Sequence, residues 1–169
     1  PRWAQSNRAP PERCRRAGYV AGILGGSDGH MWRVGLNAQL LSLNESYRAA
    51  GVSRYIHNLL TYLPQVDSRL SYLAFVGDAR AQFPGWEQRV CRWLTGSPVG
   101  RIAWEQIAQP WAAWREKLDL LHAPVYVGPV MAPCPVVVTV HDLSFFIHPE
   151  LFRPLNRVYL RSFTRGSAH

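Results

Sequence analysis

From Trp32 to Arg165 short apolar runs alternate with longer stretches of helical periodicity, and this alternation most narrows the folds open to the chain. Strand, helix and strand in succession close most readily as a parallel sheet with helices on its faces. Trp32–Asn37 reads as a first strand, and Gly51-Val52-Ser53 opens a helix running to Leu63. In that helix Val52, Tyr55, Ile56, Leu59, Leu60 and Leu63 recur at three- and four-residue steps, the spacing of one buried face. Pro64 is expected to end it. Leu70–Val76 is apolar almost throughout, as strands covered on both faces are. Gln82–Leu94 has no clean period and fits best a helix flanked by loops. Ile102–Glu116 reads as a helix interrupted at Pro110, and Leu118–His122 as a short strand closing at Ala123-Pro124. Pro135–Val140 is the clearest buried strand, and Pro154–Arg165 a last helix. The expected fold is α/β, a Rossmann-like, doubly wound and mainly parallel sheet.

The 169 residues suit one such domain, and 47% hydrophobic against 18% charged residues excludes bulk disorder. Before Met31 prolines, arginines and glycines follow no period, so residues 1–30 are expected to be a disordered extension or a non-native leader. The glycine cluster Gly22 to Gly29 lacks both the Gly-x-Gly-x-x-Gly order and the Lys-Ser/Thr of phosphate loops. Arg13–Gly26 has a basic start and a short apolar stretch, but no small-x-small cleavage site, so it is not read as a signal peptide. No apolar run approaches the ~20 residues that span a bilayer.

The net charge of +8 invites a polyanion as partner. Residues 1–30 hold five of the arginines against Glu12 and Asp28, and Lys117 is the single lysine. That distribution points to compositional bias, and no nucleic-acid partner is expected. Cys14, Cys91 and Cys134 are too widely spaced for a zinc knuckle or a redox pair, and read as reduced thiols of a cytoplasmic protein.

Doubly wound sheets bind ligands just beyond the C-terminal ends of their strands. Polar residues gather at three such places. Asn37 to Gly51 leads into the helix at Val52, where a glycine lets backbone amides approach a phosphate; an ordinary helix start reads the same way. His122-Ala123-Pro124 reads as a packed strand end. His141-Asp142 follows the valine strand, and two readings stand: an imidazole presented to a ligand, or a histidine merely hydrogen-bonded at the sheet edge.

Taken together these positions resemble the N-terminal half of family 4 glycosyltransferases. The resemblance rests on Gly51-Val52-Ser53-Arg54-Tyr55-Ile56-His57-Asn58-Leu59-Leu60, on Trp104-Glu105-Gln106, on Asp119–Pro124 and on Val138–Phe145, in the family's order. It implies a GT-B fold, in which two Rossmann-like domains face each other across a cleft. It also implies transfer of a sugar such as mannose, with retention, from a nucleotide-sugar to a glycan or lipid-linked acceptor, without cofactor or metal. Gly51, Val52 and Ser53 would lie at the donor diphosphate, and His141 at the transferred sugar with Asp142 beside it. Acceptor contacts would come from Asn37–Ala50 and Tyr126–Met131, Asn37 and Tyr126 among them. Ala50 stands where many relatives have a further glycine. Residues 31–169 would then be the acceptor-side domain, truncated before the donor-binding domain and inactive alone.

Arg153, Arg157, Arg161 and Arg165 recur every four residues, along one side of the last helix. That side is read as a solvated face or as a peripheral contact with the inner face of the plasma membrane; Leu155, Val158, Tyr159 and Phe163 would then face the core. Two other classes remain as alternatives. A nucleotide- or NAD-binding Rossmann domain would need a glycine motif where Asn37-Ala38-Gln39-Leu40-Leu41 stands. A basic membrane- or nucleic-acid-binding module would need no catalytic cluster at all.

Overall fold

The computed structural model describes residues 31–42, 51–91 and 97–147, together with Leu160 and Thr164. The expected extension over residues 1–30, the loop 43–50 and the arginines Arg153, Arg157, Arg161 and Arg165 lie outside the described residues.

Among the described residues the strands are β1 (Arg33–Ala38), β2 (Ser71–Val76), β3 (Trp86–Val90), β4 (Leu120–Ala123) and β5 (Val136–Val138). They form one sheet in the order β3-β2-β1-β4-β5, and every pairing is parallel. The fold is thus α/β, as the alternation predicts. From β1 the chain builds outward first to β2 and β3, then on the other side to β4 and β5. The reversal leaves a crevice between β1 and β4 at their C-terminal ends, the place where open α/β sheets bind ligands.

Helix α1 (Val52–Val66) covers one face. Its Ile56 and Leu60 pack on Val34 and Leu36 of β1 and on Tyr72 and Ala74 of β2. Leu73, Phe75 and Leu121 point to the opposite face, where they meet Trp104, Ala113 and Leu118. The period of two in the strands separates the two cores. The second face is covered by a run that begins as α2 (Pro98–Ala103), passes through a π turn at Trp104–Ala108 and ends as α3 (Gln109–Arg115). Ser97 caps its start by accepting the Gly100 amide at 3.0 Å. At its end Lys117 takes a φ of 53°, Leu118 N–H bonds Ala113 O, and Lys117 N–H bonds Trp114 O. This is the crossed pair of bonds that closes a helix with a left-handed residue. A single turn, α4 (Ser144–Ile147), follows β5.

The structure corrects the sequence reading at several points. Pro64 does not end α1, which runs on to Val66. Proline has no amide to give the Leu60 carbonyl four residues back, and that carbonyl instead accepts the Trp86 indole N–H at 2.8 Å. The same tryptophan opens β3, within the stretch Gln82–Leu94 expected to be helical. Gly85, with a φ of +83°, turns the chain there, and a Cβ on it would sit 2.8 Å from Pro64 Cβ. Pro110 does not break its helix either. The missing amide is absorbed by the π turn just before it, where Gln109 N–H bonds Trp104 O five residues back.

β5 is shorter than expected and is not buried. Val137 is 47% exposed, and with Leu63, Val66 and Leu120 it lines an apolar cavity of about 280 Å³. Valines mark a preference for extended backbone; the outermost place in the sheet decides burial. Of the expected last helix, Leu160 and Thr164 are helical and buried, one turn apart on a face that the periodicity did not single out.

Candidate functional site

Beyond the C-terminal ends of β4 and β5 the side chains join into one cluster, with Thr139 at its centre. The Thr139 hydroxyl lies 2.8 Å from His122 Nε2 and 3.2 Å from the Tyr55 hydroxyl. Strand register sets this up. Ala123 pairs with Val138, so Thr139 is the next residue along, and its amide donates to Ala123 O at 3.0 Å. Tyr55 arrives from the first turn of α1. Its ring meets His141 edge-on at 5.1 Å between centroids and His122 at 6.4 Å. Tyr126 stands edge-on to the same His141 at 5.9 Å.

His141 is therefore held between two tyrosine rings. Its Nε2 lies 2.8 Å from the Pro124 carbonyl oxygen. A carbonyl only accepts, so Nε2 carries the hydrogen, and in the neutral ring Nδ1 is the acceptor. The residue is exposed at the strand end, so an imidazole of fixed tautomer is available to a ligand hydroxyl.

Tyr126 has a φ of 53°, a region bulky residues rarely occupy. Three bonds hold it there. Its amide donates to Thr139 O at 2.9 Å, its carbonyl accepts the Thr164 hydroxyl at 3.1 Å, and its own hydroxyl donates to Asp142 Oδ2 at 2.8 Å. Burial first, then the Asp142 bond, pushes the phenol up to about 12, so it stays a donor. The Ser144 hydroxyl and amide, with Tyr126 adding to them, hold the Asp142 carboxyl below the usual carboxylate range. Both Asp142 oxygens are engaged, and the residue forms the turn that opens α4. Its observed work is to position Tyr126.

Asn37, at the end of β1, is buried and accepts the Gln39 amide on Oδ1 at 3.3 Å. With Gln39, Glu105 and Pro124 it lines a cavity of about 10 Å³ in the crevice between β1 and β4, room for one water. Gly51 caps α1 with no side-chain bond, and among the described residues a Cβ there would meet nothing within 4 Å. Its φ of −86° does not itself require glycine. Val52 packs on the core. Ser53 is buried and exchanges two bonds with Ser42, accepting its amide at 2.9 Å and donating to its carbonyl at 3.3 Å. That hydroxyl ties the loop to the helix.

The structure thus brings His141, Asp142 and Tyr126 together, reaches the Gly51 end of α1 through Tyr55, and sets Asn37 in the adjoining crevice. The sequence reading missed Tyr55, which it placed on the apolar face of its helix, and Thr139. One signal was there: Thr139 is the single polar residue in the run Val136–Val140. Among the described residues no group of three or more His, Cys, Asp or Glu side chains is placed to hold a metal ion. Burial pushes the free thiols of Cys91 and Cys134 up to about 11. No helix among these residues is long and apolar enough to cross a membrane.

Burial also lowers the pKa of His122 below the 6.5 of an ordinary imidazole. The unfolded chain then binds the proton more readily than the folded one. Stability from this group is complete above the unfolded value and is lost as the pH falls through the folded one. The urea midpoint is expected to drop as the pH falls below the ordinary imidazole value of 6.5, and His122→Gln should flatten that drop. An unchanged slope in the variant would place the titration elsewhere.

No family model matches the chain, and no curated protein or solved structure matches it.

Proposed function

We propose that the chain is the acceptor-side domain of a retaining glycosyltransferase. Completed by a donor-binding domain, it transfers a sugar, for example mannose, from a nucleotide-sugar to a glycan or lipid-linked acceptor. One observation carries this reading. The separate segments of the family resemblance contribute Tyr55, His122, Thr139, His141 and Asp142 to a single cluster beside the crevice where such sheets bind ligands. Local sequence does not require them to meet.

In this reading Nδ1 of His141 accepts a hydroxyl of the transferred sugar. The start of α1 at Gly51 faces the diphosphate, with first-turn amides and the helix dipole favouring its charge. Asn37 and the loop after Tyr126 hold the acceptor. The departing diphosphate needs preorganised cations, which the reading assigns to the donor-binding domain. No metal is given a role, and transfer takes place in the cytoplasm, at the inner membrane face where the acceptor is lipid-linked.

The test compares the 169-residue chain with a form extended by the donor-binding domain. Each is incubated with labelled UDP- and GDP-sugars and a membrane extract as acceptor. Sugar transfer is expected from the extended form alone. Robust transfer by the short chain refutes the division of labour, and an extended form that neither binds nor transfers any nucleotide-sugar refutes the function.

A further inference from the structure

The run from Pro98 to Arg115 turns Trp104, Gln109 and Ala113 inward. A helix lying on a sheet ordinarily shows charge on its outer side. Here Ile107 is 68% exposed, Trp111 57% and Trp114 67%. Steps of four and three residues set them in one stripe. The exposed charges between Ser97 and Lys117 are Arg115 and Lys117, both cations. The Arg115 guanidinium lies over the Trp111 ring at 5.4 Å. The carboxylates of the segment are turned elsewhere: Glu105 is buried beside Arg101, and Glu116 bonds Arg89 and Arg33. On the other flank Gln106 accepts the Val130 amide at 3.1 Å, and the next residue of that loop, Met131, is 82% exposed.

Indoles on an apolar stripe, edged by cations and free of exposed carboxylates, match the chemistry of a bilayer interface. Tryptophan settles at headgroup depth, aliphatic side chains enter the acyl boundary, and arginine and lysine meet lipid phosphates. A second copy fits less well. A two-fold contact sets the patch against its own copy, so Arg115 and Lys117 meet a surface that offers them no exposed carboxylate. Single-stranded nucleic acid would stack on the indoles but needs a track of cations along its backbone; this stripe has two, at one end.

We propose that the stripe Ile107–Trp111–Trp114, with Arg115, Lys117 and Met131 at its margins, docks the chain on an anionic lipid bilayer. The surface is separate from the cluster at the strand ends and stands whether or not the glycosyltransferase reading does.

The test uses the full 169-residue chain with phosphatidylcholine vesicles, with and without phosphatidylglycerol, read by co-sedimentation and by tryptophan quenching with brominated lipid. Binding is expected to the anionic vesicles, with quenching, and to weaken with salt. Trp111→Ser combined with Trp114→Ser should lower partitioning at least about tenfold and leave the unfolding midpoint close to that of the parent, since both side chains are exposed. Arg115→Gln and Lys117→Gln should each cost roughly fivefold. Failure of the parent chain to bind anionic vesicles, or equal binding by the double tryptophan variant, overturns the proposal. Stripe-dependent self-association or oligonucleotide binding in place of vesicle binding overturns it too, and gives the face to a second copy or to nucleic acid.

Discussion

His141→Ala in the enzyme completed by its donor-binding domain is expected to lower kcat/KM by about 10²–10³ while costing roughly 1 kcal/mol of stability. The asymmetry follows from where the side chain sits. His141 is exposed at a strand end and contributes little apolar burial, yet the Pro124 carbonyl fixes its tautomer and Tyr55 and Tyr126 fix its ring. Losing a positioned acceptor affects a transition state more than it affects a fold. His57 is the control. It is exposed on α1, edge-on to Phe83 at 5.4 Å and away from the strand ends, so His57→Ala should keep most activity. Measuring kcat/KM beside the unfolding midpoint for both variants decides the matter. Equal activities, or a loss at His141 that tracks lost stability, would remove His141 from the site.

Trp86→Ala is expected to be the most destabilising of the substitutions considered, at about 3–5 kcal/mol. Domains of this size are stable by about 5–15 kcal/mol, so little is left. Two effects add. The indole packs against Tyr72 at 4.9 Å within the α1-side core, and its N–H satisfies the Leu60 carbonyl that Pro64 leaves without a helical partner. Trp86→Phe separates them, keeping most of the packing and orphaning the carbonyl, for about 1–3 kcal/mol. Pro64→Ala restores an amide to that carbonyl, so Trp86→Phe should cost less in its presence, a coupling that a double-mutant cycle reads directly. Additive costs in the cycle would show that the indole does not close the gap left by the proline.

What was legible in the sequence was local. The face of α1 showed in the three- and four-residue steps from Val52 to Leu63, and the burial of β2 in the nearly continuous apolar run Leu70–Val76, because each pattern depends on residues within a few positions of one another. The polar residues after the valine run marked a strand end for the same reason. Tertiary structure decided the rest. Trp86–Val90 alternates a buried tryptophan with charged residues, too short and mixed to announce a strand. It becomes β3 by pairing with β2, with Glu87 and Arg89 satisfied by Arg33 and Glu116 from distant elements. β5 carries the residues of a buried strand and is only half-buried, with Val137 exposed, because burial is a property of the place in the sheet. The cluster was the least legible part. Tyr55 and Thr139 stand 84 residues apart and meet only because β4 and β5 pair in one register beneath the first turn of α1. Periodicity records which face of an element is apolar; it holds no record of which elements become neighbours, and the cluster is made by neighbours.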